Sequence, residues 1–207
     1  MRIIDTEADI RAGVKALRRK CPTMRHVHDT AGDPPLRRRP AGFEGLARVI
    51  VGQQLSIASA AAIWKRTAAA CEPFEPVTLL RLADERLAGA GLSRPKIRTL
   101  RAIATACADG LDLAALAGAS DEEVHAALTA VVGIGPWTAD IYIMFCLGRA
   151  DAWAPGDLAL QIATQQALGL AERPGPDAMT EIAERWRPWR AVAARMLWQF
   201  YLSAPRR

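Results

Sequence analysis

The chain has 207 residues, of which 51% are apolar and 24% charged, with a net charge of +5. That length holds one large domain or two small ones with real cores, and the composition is globular rather than disordered or fibrous. No apolar run approaches the roughly 20 residues needed to cross a bilayer, and the acidic residues in MRIIDTEADI are unlike a signal peptide. An intracellular protein is therefore expected, cytoplasmic or nucleoid-associated in a bacterium, with no membrane partner. Cys21, Cys71, Cys107 and Cys146 show no short Cys/His spacing. Neither a zinc site nor an iron–sulfur cluster is written locally, and reduced thiols among apolar neighbours are expected.

Strand signals are scarce and helical periodicity is common, so an all-α fold is predicted. The first helix spans about Thr6 to Lys20, capped by Asp5 or Thr6. Residues 1–40 hold ten Lys/Arg against five Asp/Glu, the whole positive excess. The stretch from Cys21 to Pro40, rich in Pro, His, Asp and Arg, reads as loop. Its Arg37-Arg38-Arg39 cluster suits a solvated basic loop or a phosphate contact equally. Apolar periodicity then runs from Phe43 to Ala70, with Ser56 placed to cap a second helix inside it. Further helices fit Asp84–Ala90, Ser93–Ala108, Asp121–Val131, Thr138–Leu147, Asp157–Leu168, Asp177–Trp186 and Pro188–Leu202. Of the six tryptophans, Trp64, Trp186 and Trp189 are expected in the core, whereas Trp137 and Trp153 fit either packing or a site.

One junction stands out. An apolar helix ends at Gly133-Ile134-Gly135 and another helix begins just after. Glycine on both flanks permits positive φ and lets the backbone approach a ligand, and Ile134 can plug the junction. Amides released at Gly135 and the following helix start suit a DNA phosphate. Tight helix–helix turns that bind nothing also contain glycine, so the local sequence leaves both readings open. Asp157 poses a similar choice. After Pro155-Gly156 and before an amphipathic run it is a preferred N-cap. Its carboxylate, 22 residues beyond Gly135, can also stabilise an oxocarbenium-like sugar. The two readings are compatible.

The hairpin Gly133-Ile-Gly-Pro-Trp-Thr-Ala139 followed by Pro155-Gly-Asp157 resembles the helix-hairpin-helix (HhH-GPD) DNA glycosylase superfamily. Within it the chain is most similar to bacterial 3-methyladenine DNA glycosylase II. Two further blocks agree, one running from Phe43 through Gly52-Gln-Gln-Leu-Ser56 and one from Glu184 through Trp186-Arg-Pro-Trp189 to Trp198. The N-terminal β domain of that relative has no counterpart here. The resemblance implies two helical lobes with the active cleft between them, residues 1–40 with 150–207 forming one and residues 41–149, containing the hairpin 133–135, the other.

The resemblance also implies a function. It makes Asp157 the catalytic residue and places Trp198, Trp137, Ile141 and Leu158 around the base pocket. Gly133, Ile134, Gly135 and Thr138 fall on DNA-binding positions, and Gln54 where relatives insert a plug into the space left by a flipped base. Relatives that also cut the strand carry a lysine two residues after the second hairpin glycine. Here that residue is Trp137, so base excision without AP lyase activity is implied. The expected substrates are alkylated purines such as 3-methyladenine or 7-methylguanine, whose cationic rings suit an indole face. Ile141 and Leu158 replace aromatics of the relative, which keeps ethenoadenine, hypoxanthine and deaminated or mismatched bases in play, as well as a non-catalytic damage-binding role. A monomer acting on damaged double-stranded DNA is implied, with no small-molecule cofactor. A Na or K ion on the carbonyls of Thr129, Val131 and Ile134 is expected when DNA is bound.

Overall fold

The structure, a computed structural model, describes residues 2–203; residue 1 and residues 204–207, the two ends of the expected first lobe, lie outside the described part. Among the described residues the regular structure is helical, apart from one isolated antiparallel bridge between Ile3 and Arg149. Helix α1 (Glu7–Lys20) is capped by Thr6, whose hydroxyl accepts from the Asp9 amide while the Asp9 carboxylate returns a bond to the cap. Next come α2 (Pro22–Ala31), α3 (Phe43–Gly52) and α4 (Ile57–Ala70), the last capped by Ser56 as expected. Helices α5 (Pro76–Arg81), α6 (Asp84–Gly89), α7 (Arg94–Ala108), α8 (Asp121–Thr129) and α9 (Pro136–Phe145) follow. Then come α10 (Leu158–Leu168), α11 (Pro176–Ala183) and α12 (Arg190–Ser203).

Two helices depart from the sequence reading. The expected loop from Cys21 to Pro40 begins with the ten residues of α2. Pro22 sits at its first position, where a missing N–H costs nothing, and Met24 and Val27 form a buried stripe one turn apart. The remainder of that stretch is loop. The short α5 also starts on a proline and buries Leu79. Helix ends shift by small amounts: α9 opens at Pro136 rather than Thr138, and α12 at Arg190 rather than Pro188.

The described residues divide into two compact units, 2–38 with 143–203 and Arg39–Tyr142, the division falling inside α9. In the first unit α12 packs on α1, α2 and α10, and every residue from Ala191 to Leu197 is buried. In the second unit α3 packs on α4 and α7, and α7 also carries α5 and α6.

The turn joining α8 to α9 is built by one glycine rather than two. Gly133 has φ +88°, and a Cβ there would lie 2.1 Å from Thr99 Oγ1. Gly135 is not in the left-handed region and faces open space. The Ile134 amide donates to the Val131 carbonyl at 3.0 Å, and the Ile134 side chain is buried in the junction. On the α8–α9 contact, His125 Nε2 lies 3.7 Å from Asp140 Oδ1. Burial pushes the Asp140 carboxyl up from 3.8 to about 7, because a charge removed from water is disfavoured.

Gly133→Ala is expected to destabilise by more than the roughly 1–3 kcal/mol of left-handed strain, since the new methyl also collides with Thr99. Adding Thr99→Ala should recover part of the loss, and urea unfolding of the two variants measures both contributions. The fold holds the Asp140 proton more tightly than the unfolded chain, so this group's contribution to stability falls as pH rises from 3.8 to about 7. Asp140→Asn should therefore melt higher than the parent at pH 8 and converge with it near pH 4; a gap independent of pH would rule this out.

Candidate active site and nucleic-acid interface

In the first unit a tight turn delivers Asp157. Its amide donates to the Ala154 carbonyl at 3.1 Å, and its own carbonyl accepts from Gln161 as α10 begins. Gln161 Nε2 reaches back to the Pro155 carbonyl at 2.9 Å, closing the turn. The side chain is the α10 N-cap: Oδ1 accepts from the Leu160 amide at 2.9 Å. The same oxygen accepts from the Trp198 indole N–H at 3.0 Å. Asp157 is only 9% exposed. A carboxylate gripped by a helix N-terminus and an indole has a fixed plane, which is the property needed to stabilise a developing positive charge.

Trp198 therefore meets Asp157 through its edge. Its ring stacks on Phe145, with centroids 5.6 Å apart and planes inclined by 29°. The Arg195 guanidinium lies 4.6 Å over Phe145 and donates to the carbonyls of Leu36, Ala191 and Met144 at 3.3, 2.8 and 3.2 Å. Burial, together with repulsion from Arg38 and Arg37, lowers the Arg195 pKa to about 9, so it stays cationic at neutral pH. Arg38 pairs with Asp5 at 2.8 Å and donates to the Phe145 and Cys146 carbonyls. It thus covers the partly negative C-terminus of α9, a structural task for one member of the basic cluster. Pro35, Arg37, Phe145, Arg195, Trp198 and Gln199 line a narrow pocket beside this stack.

In the second unit the junction of α3 and α4 carries Gln54, which is exposed and held at φ +56°. Lys96 from α7 fixes this junction: its Nζ donates to the Val51 and Gln53 carbonyls at 2.7 and 2.8 Å. Desolvation lowers the Lys96 pKa. Gln53 Nε2 donates to Thr138 Oγ1 at 2.8 Å. Thr138, expected at a DNA-binding position, is only 2% exposed, and its hydroxyl is the acceptor of that bond. Its amide donates to the Gly135 carbonyl at 3.0 Å.

The remaining expected residues are scattered in environment. Leu158 is the first residue of α10 and 55% exposed, whereas Ile141 is 5% exposed, within the core. Trp137, the second residue of α9, is half-buried. Trp186 and Trp189 are buried, and Trp153 is buried with its indole donating to the Met179 carbonyl. Trp64 is half-buried between the Arg48 guanidinium and Phe74. Tyr142 is fully buried, its hydroxyl accepting from the Gly42 amide.

Phe145, Arg195, Lys96 and Gln53 were not singled out from sequence. A signal existed for Arg195, a lone cation inside Ala191-Val-Ala-Ala-Arg-Met-Leu-Trp198 and three residues before Trp198. Among the described residues no group of three or more His, Cys, Asp and Glu could hold a metal ion.

Comparison with known proteins adds a lineage. The chain is 32% identical to a probable bifunctional transcriptional activator/DNA repair enzyme of Mycobacterium tuberculosis over 95% of its own length, spanning 41% of that protein. It superposes on the Schizosaccharomyces pombe 3-methyladenine DNA glycosylase in complex with abasic DNA with a TM-score of 0.82, at 26% identity, covering 90% of this chain and 95% of that one. It superposes on a DNA-3-methyladenine glycosidase from Bacillus halodurans with a TM-score of 0.76, at 33% identity, covering 97% and 93%. The family model for HhH-GPD superfamily base excision DNA repair proteins matches residues 47–188, which takes in the Gln54 junction, the hairpin and Asp157, and the chain belongs to that superfamily.

Proposed function

We propose that this chain is a monofunctional DNA glycosylase that hydrolyses the N-glycosidic bond of alkylated purines, such as 3-methyladenine or 7-methylguanine, in duplex DNA. The observation that carries the reading is the Asp157 carboxylate, immobilised by the Leu160 amide and the Trp198 indole in a member of a base excision repair superfamily. A fixed carboxylate stabilises an oxocarbenium-like sugar without having to reorganise. The bond from C1′ to the purine nitrogen breaks and its electron pair goes to the base. A purine methylated at N3 or N7 carries a positive charge beforehand, so it departs as the neutral methylated base. Water forms the new C–O bond at C1′, its proton passes to the carboxylate or to solvent, and an abasic site remains.

The target nucleotide has to leave the stack, at a cost of a few kcal/mol. An exposed amide at Gln54, on a junction anchored by Lys96, supports its role as the plug that fills the gap and bonds the orphaned base. Open space at Gly135 and the helix start at Pro136 support a phosphate contact made by main-chain groups. An alkali cation on the carbonyls of Thr129, Val131 and Ile134 would add positive charge facing that phosphate. The Val131 oxygen, which accepts from the Ile134 amide, has one lone pair left for it. Trp137 supports the absence of lyase chemistry, since an indole forms no Schiff base. The protein acts as a monomer on this reading.

The exposed aliphatic Leu158 beside Asp157 favours a second reading of the substrate, in which the same bond is hydrolysed in neutral lesions such as ethenoadenine or hypoxanthine, the water's proton going to the departing base. Excision from a panel of defined duplexes separates the two. On methylated duplex DNA, Asp157→Asn should lower single-turnover base release about 100-fold or more; release equal to the parent would remove Asp157 from the mechanism. Borohydride treatment during turnover should trap no protein–DNA adduct, and a trapped adduct would contradict the monofunctional reading.

A further inference from the structure

We propose that Arg195 is a positioning residue for Asp157, acting through Phe145 and Trp198. The proposal rests on the catalytic reading of Asp157. All four residues belong to one compact unit, and each link between them is direct. The guanidinium lies 4.6 Å over Phe145, Phe145 stacks on Trp198 at 5.6 Å, and the Trp198 N–H is 3.0 Å from Asp157 Oδ1.

Arg195 is an expensive residue at this place. It is 3% exposed within the most apolar stretch of α12, where removing a guanidinium from water is strongly unfavourable. A methionine would fill the same volume without that cost. What methionine lacks is the planar fork. Three N–H groups, Nε, Nη1 and Nη2, reach three separate carbonyls, on Leu36, Ala191 and Met144. Three anchor points, on the loop after α2, on α12 and on α9, fix the orientation of the guanidinium plane. The Met144 carbonyl lies at the C-terminal end of α9, where the helix dipole favours a cation.

A cation held against the face of Phe145 restrains that ring, since the attraction depends on the cation staying over the π-face. The restrained ring is the surface on which Trp198 rests. Without that support a half-buried tryptophan would rotate about its side-chain bonds, and a small rotation carries the indole N–H away from a carboxylate oxygen. Asp157 keeps its Leu160 cap in either case, so loss of the stack relaxes the carboxylate without unfolding α10.

The test measures single-turnover base release, DNA affinity and thermal stability for Arg195→Met, Arg195→Lys, Phe145→Leu, Trp198→Phe and the double variant Arg195→Met with Trp198→Phe. Losing a hydrogen bond to a charged group is expected to slow release about 10- to 100-fold in Arg195→Met, with affinity for abasic-site DNA unchanged. Arg195→Lys, whose three N–H donors and charge suit the same carbonyls, should restore part of the rate. Once Trp198→Phe has removed the donor, adding Arg195→Met should cost little more, because both changes break one path. Full activity in Arg195→Met, or independent multiplication of the two losses, overturns the proposal. Should Arg195→Met fail to fold, Phe145→Leu alone and combined with Trp198→Phe decides by the same criterion. Asp157→Asn run alongside separates the failures: full release there refutes the catalytic reading of Asp157, whereas loss there with Arg195→Met unaffected refutes only the relay.

Discussion

A single carboxylate oxygen, Asp157 Oδ1, receives two donors of different origin. The Leu160 amide comes from three residues away and is a product of helix geometry, available to any Asp at an N-cap. The Trp198 indole comes from α12, and reaches Asp157 only because α12 is packed against α10, α2 and α1. The first bond sets where the side chain begins and the second sets where it points. The orientation of the carboxylate is therefore a property of the whole unit's core, including the unbroken buried run from Ala191 to Leu197.

The local bonds were legible in the sequence because their donors and acceptors sit three positions apart. Thr6, Ser56 and Asp157 announce helix starts through side chains that bond the amides just ahead of them. Helix α2 escaped because ten residues carry only two buried apolar side chains among histidines, an aspartate and threonines. Its stability comes from packing on α12 and α1, which no local pattern records. The site divides the same way. Asp157 and Trp198 were named from family motifs, but the bond between them joins positions 41 apart. Arg195 was visible as a charge in an apolar run, while its acceptor on Leu36 lies 159 residues away.

Thr138 occupies a motif position whose side chain is buried. It belongs to the hairpin block, yet its hydroxyl accepts from Gln53 inside the second unit. The hairpin helix is thereby tied to the junction that presents Gln54, and Lys96 ties the same junction to α7. Main-chain carbonyls receive the lysine, so the grip is indifferent to which side chains stand at Val51 and Gln53. Thr99, three residues after Lys96 on the same helix, packs against Gly133. One face of α7 thus serves both the plug junction and the hairpin turn.

Helix α9 is buried on every side from Ile141 to Phe145, and burial continues unbroken to Ala150. A helix with no solvent face cannot fray residue by residue, since releasing any part of it exposes apolar surface on its neighbours as well. Its amide protons from the second turn onward should then exchange with solvent only when the surrounding core opens cooperatively. That makes α9 a slow clock: the rate at which its amides take up deuterium reports the opening of the core around it.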